Sequence, residues 1–516
     1  METHVLPQKS SVDKARSSII ATLSDEPRDD ATCKDVISAL TQGLNQASLS
    51  SRYYGFVIGG ATPISRFADN KVTEFDQNVH VHLPDETIAT DIEHAASKML
   101  CDLVNLDPQK WTHRIFTTGA TASNVVGLAL GREHVIRQAG LRENADGSLP
   151  SVAQLGLLRA TRLANVDEIQ ILTTVPHSSI RKAAALVGLG HQSVKDVGRD
   201  GAAEKHLFDF DKLELELQKS NTASIIAVSA CEVNTGLFAT RGADDFGTLR
   251  LMADKYGAWI HVDAAIGLLA RVLLGRKGTA PQWAEYEKIM AGVEGLELAD
   301  SIGGDAHKLF NVPYDCGILL SRHLSLAQAV FQNPGAAYLS TSTSKTNTNI
   351  NTNNSAAMPS PLNIGIENSR RFRALPVYAN LIRYGRAGYE DILLRQIELA
   401  REIARFILQH DAYELLPPLE SSTIPASEAR HRDDERTVEN KRLEDVFMIV
   451  CFRAVDDGLN GRLADAIKKT HRVYVSGTSF HGAPAVRFAV SNYQVNVDED
   501  LTCIKEVLNE VAHSNQ

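Results

Sequence analysis

What the sequence lacks narrows its function first. Its 516 residues include six cysteines, Cys33, Cys101, Cys231, Cys316, Cys451 and Cys503. No two of them form a CxxC pair. The spacing therefore suggests neither a zinc-ligand set nor a disulfide framework, and no metal is expected. A reduced, cytoplasmic protein is the expectation that follows. No run reaches the roughly 18 apolar residues that cross a bilayer. The stretch METHVLPQKSSVDKARSS has no apolar core segment and carries Glu2 and Asp13, which resembles neither a secretory signal nor a transit peptide. Excess base is missing too. A formal net charge of -10 argues against nucleic acid or an anionic membrane as the main partner.

What is present reads as globular, with 43% hydrophobic and 22% charged residues. The length allows about three domains and is ample for one large and one smaller core. Residues 1–50 read as a polar arm with helical stretches such as Lys34–Leu40, and Ser51–Pro63 as a loop. From Asp91 to Ser321 helical segments alternate with β-rich runs at Ile169–Val175, Ala223–Val228, Ala258–Val262 and Gly317–Leu320. This alternation predicts an α/β domain with a mostly parallel sheet, with functional loops at the C-terminal ends of the strands. Ser340–Ser360 is rich in Ser, Thr and Asn and reads as a mobile loop, and the charge-dense Leu419–Asp445 as a solvated insertion. Asn368–Gln409 reads as long helices. Val446–Cys451 and Val486–Val490 read as strands of a smaller α+β domain.

Four short stretches carry chemistry. In AWIHVDAA a buried β-run delivers Asp263, and a carboxylate there costs several kcal/mol unless a cation meets it. Alone, it would more often be a structural cap. In ADSIGGDAHKLFNVPYDCG, Lys308 lies between two β-runs beside His307, in an apolar setting. Burial favours the neutral amine, a nucleophile toward an aldehyde. In TTGATASN a glycine turn with hydroxyl residues opens a helix, which suits a phosphate, although a plain helix cap reads the same way. In PHSSIRK, His177 follows a strand, where ligands gather, or is simply an exposed loop residue. Together, a phosphate cradle, an aromatic ring, a buried acid and a buried lysine answer the needs of pyridoxal 5′-phosphate (PLP).

With these residues in hand, the chain resembles the group II PLP-dependent amino-acid decarboxylases, of the aspartate-aminotransferase (type I) fold. The matching stretches are YYGFVIGGATP, DQN at Asp76–Asn78, TTGATASN, HSSIRKAA, EVNTG at Glu232–Gly236, HVDAA, DAHK with NVPYDCG, and VRFAVSN. The resemblance implies an arm and substrate-side segment at 1–90, a large PLP-binding domain at 91–370 and a small domain at 371–516. It implies a resting Schiff base on Lys308, Asp263 on the pyridine nitrogen and His177 stacked on the ring. Ala120 and Thr121 would hold the phosphate, helped by His307, and Asn234 would lie near the cofactor. A homodimer with an interfacial active site is implied as well.

The expected reaction is decarboxylation of an L-amino acid to the amine. The alternatives are oxidative deamination to an aldehyde, another PLP lyase reaction, or PLP binding without turnover. Tyr53, Tyr54 and Phe56 are candidates for an aromatic-accepting pocket or for core packing. Arg487 is a candidate grip for the substrate carboxylate or an exposed strand residue. Relatives acting on aromatic substrates carry a proton-donating tyrosine in the mobile loop, but Ser340–Ser360 contains none. Tyr338 precedes it and matches a different position. Hydroxyls of Ser and Thr are poorer acids than a phenol, with its pKa of about 10. His177 is the expected donor to Cα, with an aldehyde fraction if protonation is slow.

Overall fold

The computed structural model describes residues 5–143, 149–201, 203–334, 358–418 and 441–513. They form two compact units. One comprises the described residues of Ala61–Leu394 and Pro417–Phe447, the other those of Met1–Gly60, Arg395–Leu416 and Met448–Gln516. This division is discontinuous in sequence, whereas the expected boundaries lay near 90 and 370.

The larger unit is built on a seven-stranded sheet. Across it run His113–Thr117, Gly317–Ser321, Ser301–Asp305, Trp259–Asp263, Thr222–Ser229, Glu168–Thr173 and Val194–Asp196. The last five are mutually parallel. Gly317–Ser321 runs against both of its neighbours. The reason is length, because a parallel return needs a crossover of about a dozen residues or more. The connection 306–316 is too short for one, so the chain turns straight back and leaves Lys308 in that turn. Every residue of Trp259–Asp263, Ser301–Asp305 and Gly317–Ser321 is buried, as expected of a sheet covered on both faces.

The helix Ala120–Glu143 packs its Val126, Leu128, Leu130 and Ile136 with Ile171, Ile225, Trp259 and Leu319 in one core. Gly127 lets this helix come close. A Cβ there would lie 2.4 Å from the His261 ring. The sheet order brings the C-terminal ends of His113–Thr117, Glu168–Thr173, Thr222–Ser229, Trp259–Asp263 and Ser301–Asp305 to one edge, since all five strands run the same way.

In the smaller unit a five-stranded sheet runs Tyr53–Tyr54, Tyr474–Phe480, Ala483–Ala489, Ile449–Ala454, Tyr413–Leu416. All pairs are antiparallel except Tyr53–Tyr54, an edge strand within the stretch expected to be a loop. His481 and Gly482, at φ 49° and 83°, make the tight hairpin turn between two of its strands. The helical reading of 368–409 corresponds to Ala374–Leu408, interrupted at Gly385. Residues 340–357 of the Ser/Thr/Asn-rich stretch, 419–440 of the charged one, and Tyr338 lie outside the described residues.

Candidate active site

The strand ends surround a cavity of about 290 Å³ that lies within the larger unit. Ala120, Thr121, His177, Asp263, His307 and Lys308 all line it. Each was singled out in sequence, and each is delivered by a different loop or strand end, apart from the neighbouring pairs. Asn234 is not brought to this wall. Its backbone N–H and its Nδ2 both donate to Glu232 Oε1 at 2.9 Å, and Cys231, Glu232 and Val233 line the cavity there instead.

Lys308 is largely buried, with a side-chain exposure of 20%. It is not in the purely apolar setting that the sequence suggested. Its Nζ lies 2.8 Å from Asp305 Oδ2. The other oxygen of Asp305 accepts the Ala120 N–H at 2.6 Å and lies 3.4 Å from His307 Nε2. Asp305 is 4% exposed. It therefore joins the lysine to the N-terminus of the helix Ala120–Glu143, where the helix dipole favours an anion. The cradle is tight, since a Cβ on Gly317 would lie 2.4 Å from Thr117 Oγ1. With Ala120 N–H given to Asp305, the turn still presents the N–H groups of Thr121 and Ala122, which no helical carbonyl precedes.

Asp263 ends its strand with both oxygens engaged. Oδ1 accepts Ala265 N–H at 3.2 Å and Oδ2 accepts Asn124 Nδ2 at 2.9 Å. His177 opens the helix Ser178–Leu186 and holds it through Ser179, whose backbone N–H reaches His177 Nδ1 at 3.2 Å. On the far side, His307 Nδ1 accepts the Cys316 N–H at 3.1 Å, and its ring packs on Tyr314 with centroids 4.2 Å apart. Burial holds the His307 pKa below its usual value. His307 is thus a neutral ring with its proton on Nε2, toward Asp305.

Sequence reasoning missed Asp305, Glu232, Asn124 and Ser179. All four stood in plain view, in DAHK, EVNTG, TTGATASN and HSS, but a polar side chain beside a motif residue carries no local mark of function. Glu232 is 5% exposed, and four bonds from Asn234 and Thr235 consume both its oxygens. It fixes the turn that shapes the wall. Cys231 enters that turn at φ 78°, a left-handed backbone that costs a non-glycine residue about 1 kcal/mol or more.

The candidate substrate residues belong to the smaller unit. Tyr53 stacks on Tyr474 at 4.4 Å and Tyr54 meets Phe488 edge-on at 5.3 Å, both buried, while Phe56 is exposed. Arg487 is 7% exposed and donates to the Phe56 carbonyl at 3.4 Å. It is not an exposed strand arginine, because its strand lies between two others in the sheet.

The sequence model of the pyridoxal-dependent decarboxylase conserved domain matches residues 78–424. L-2,4-diaminobutyrate decarboxylase of Acinetobacter baumannii is 25% identical over 410 residues, covering 77% of this chain and 68% of that protein. Phenylacetaldehyde synthase of Arabidopsis thaliana is 24% identical over 416 residues, covering 78% and 70%. The crystal structure of Oryza sativa TDC with PLP and tryptamine superposes with a TM-score of 0.72 at 19% identity, over 99% of this chain and 93% of that one. That last likeness shows the fold.

Proposed function

Because the chain belongs to the pyridoxal-dependent decarboxylase family, we propose that it releases carbon dioxide from an L-amino acid with pyridoxal 5′-phosphate held on Lys308. One observation carries the reading. A lysine amine, a strand-end carboxylate, an imidazole and a helix N-terminus face a single cavity. This donor set fits the aldehyde, pyridine nitrogen, ring face and phosphate of that cofactor. When bound, the cofactor supplies an electrophilic aldehyde and a cationic ring that accepts the electron pair freed with carbon dioxide.

The chain's own residues do the rest. Lys308 Nζ would hold the aldehyde until a substrate amine replaces it. Asp263, fixed by Asn124 and the Ala265 N–H, holds the ring nitrogen protonated. That is preorganised charge, worth several kcal/mol of barrier. His177 covers the ring face. Thr121 and Ala122 N–H groups, with Ala120 and His307 beside them, hold the phosphate. Among the described residues that line the cavity, His177, His307 and Lys308 carry nitrogen-bound side-chain protons, and His307 turns its own toward Asp305.

Two finer points belong to the same reading. A homodimer with a shared site is supported by the apolar side chains that the N-terminal arm exposes, Ile19, Ile20, Leu23 and Ile37 among them. A cytoplasmic setting is supported by the cysteine usage. No helix among the described residues is long and apolar enough to cross a membrane.

The substrate is the open variable. The relatives are named for tryptophan and tyrosine decarboxylation and phenylacetaldehyde synthesis, which are aromatic, and for diaminobutyrate and aspartate decarboxylation, which are not. A second outcome, aldehyde formed with oxygen as oxidant, is favoured by the absence of tyrosine from 340–360. A screen of L-amino acids for carbon dioxide release, with amine and aldehyde measured together in air and without oxygen, tests both. Borohydride reduction should fix the cofactor to Lys308 in a peptide map. Fixation elsewhere, or no carbon dioxide from any amino acid, would refute the reading.

A further inference from the structure

Behind the cavity runs a line of hydrogen bonds that ends on His177. Trp259 Nε1 donates to Ser301 Oγ at 3.0 Å, and Ser301 Oγ lies 2.8 Å from His261 Nδ1. His261 Nε2 lies 2.9 Å from Asn124 Oδ1. The Asn124 amide nitrogen reaches Asp263 Oδ2 at 2.9 Å and Ser179 Oγ at 3.0 Å. Ser179 Oγ lies 2.7 Å from His177 Nδ1. Trp259, His261, Ser301 and Asn124 are fully buried, and Ser179 is 4% exposed.

Elementary donor and acceptor counting fixes the direction of every bond. At one end, indole N–H can only donate, so Ser301 must accept from Trp259. At the other end the Asp263 carboxylate can only accept, so Asn124 must turn its NH₂ toward it and its carbonyl toward His261. His261 then carries its proton on Nε2 and accepts the Ser301 hydroxyl proton at Nδ1. Burial pushes His261 down to about 4, although Asp263 opposes this, so at neutral pH it has one ring proton to place. The second Asn124 N–H goes to Ser179 Oγ. Both the hydroxyl and the backbone N–H of Ser179 then aim at His177 Nδ1. A nitrogen met by two donors has no room for a proton of its own.

We propose that Asn124 and Ser179 are positioning residues that lock His177 as the neutral Nε2–H tautomer, so that it donates a hydrogen bond into the cavity but does not supply the Cα proton. A neutral imidazole is a good hydrogen-bond donor and a very weak acid. Proton delivery to Cα then falls to Lys308, the cavity's charged N–H donor, which Asp305 holds at 2.8 Å. One N–H transfer from the Lys308 ammonium to Cα would leave Lys308 a neutral amine, and the proton that the product amine carries away as an ammonium would be replaced from solvent. The same amide that orients His177 through Ser179 also orients Asp263, so one side chain would set both groups that face the cofactor.

This inference rests on the proposed decarboxylase reading, but its test does not need turnover. In cofactor-free protein with ¹⁵N-labelled histidine, the shifts of His177, assigned by comparison with His177→Phe, should report the Nε2–H form alone. In Asn124→Asp, which has no N–H to give, the Ser179 hydroxyl turns to the new carboxylate, and the Nδ1–H form should become at least about a tenth of the population. Ser179→Ala, a small change near a helix start, should move the tautomer the same way if the aspartate variant does not fold. Ser179→Thr, which keeps the hydroxyl, should restore the wild-type spectrum. An Nδ1–H form in the wild type, or an unchanged Nε2–H form in both variants, overturns the proposal. A protein that passes these tests but releases no carbon dioxide would instead sink the decarboxylase reading.

Discussion

Asp305 and Lys308, three residues apart at the end of one strand, form an ion pair of 2.8 Å while the second Asp305 oxygen holds the Ala120 N–H. The lysine that would carry the cofactor and the helix that would grip its phosphate are thus tied to the same carboxylate.

Asp305→Asn keeps an acceptor for Ala120 and removes the charge that faces Lys308. The variant should lose about 1–3 kcal/mol of stability, because the ammonium is left in a largely buried place without its counter-ion. Urea unfolding of the cofactor-free protein measures this. Carbon dioxide release should also fall by about tenfold or more if Lys308 delivers the proton. A stability loss with unchanged turnover would leave the pair a purely structural device.

Asp263→Asn should still bind the cofactor but turn over at least about a hundredfold more slowly, a barrier increase of about 3 kcal/mol or more. The amide cannot hold the ring nitrogen cationic, and its NH₂ meets either the Asn124 amide or the Ala265 N–H with donor against donor. Steady-state rates together with the absorbance of the bound cofactor check this. Full activity in the variant would remove the electron-sink role from Asp263.

His177→Phe separates stacking from proton delivery. The phenyl ring keeps the ring-face contact, so amine formation should fall by less than about tenfold if His177 only donates a hydrogen bond. A loss beyond about a hundredfold, with cofactor affinity kept, would make His177 the acid after all.

Stability should drain away on mild acidification. His113 and His261 are fully buried, and burial pushes both from 6.5 down to about 4. Below about 6.5 the unfolded chain takes up protons at these positions that the folded chain refuses. Folding free energy is therefore full at pH 7 and is lost as pH falls from about 6.5 to 4, by up to about 3 kcal/mol for each ring. Urea midpoints across that window should decline before the carboxylates titrate. A flat profile down to about pH 5 would contradict the burial.

The sequence alone determined the parts that are local. A β-run followed by Asp263, a glycine turn opening a helix at Ala120, and Lys308 between two apolar runs each follow from short-range pattern, because strand ends and helix starts are set by neighbours in the chain. The tertiary structure decided everything that depends on which strand lies beside which. Asn124, Ser179, His261 and Ser301 are far apart in sequence and meet only because the helix Ala120–Glu143 crosses the sheet where Trp259–Asp263 adjoins Ser301–Asp305. Asn234 closes a turn onto Glu232, a partner that the sequence does not mark, since a buried carboxylate takes the nearest donors. Arg487 looked as though it could be exposed, and the sheet buries it because alternation marks the faces of a strand but not whether both are covered. A hydrogen-bond partner, unlike a hydrophobic period, leaves no trace in the order of residues, and here the partners set which nitrogen of His177 bears the proton.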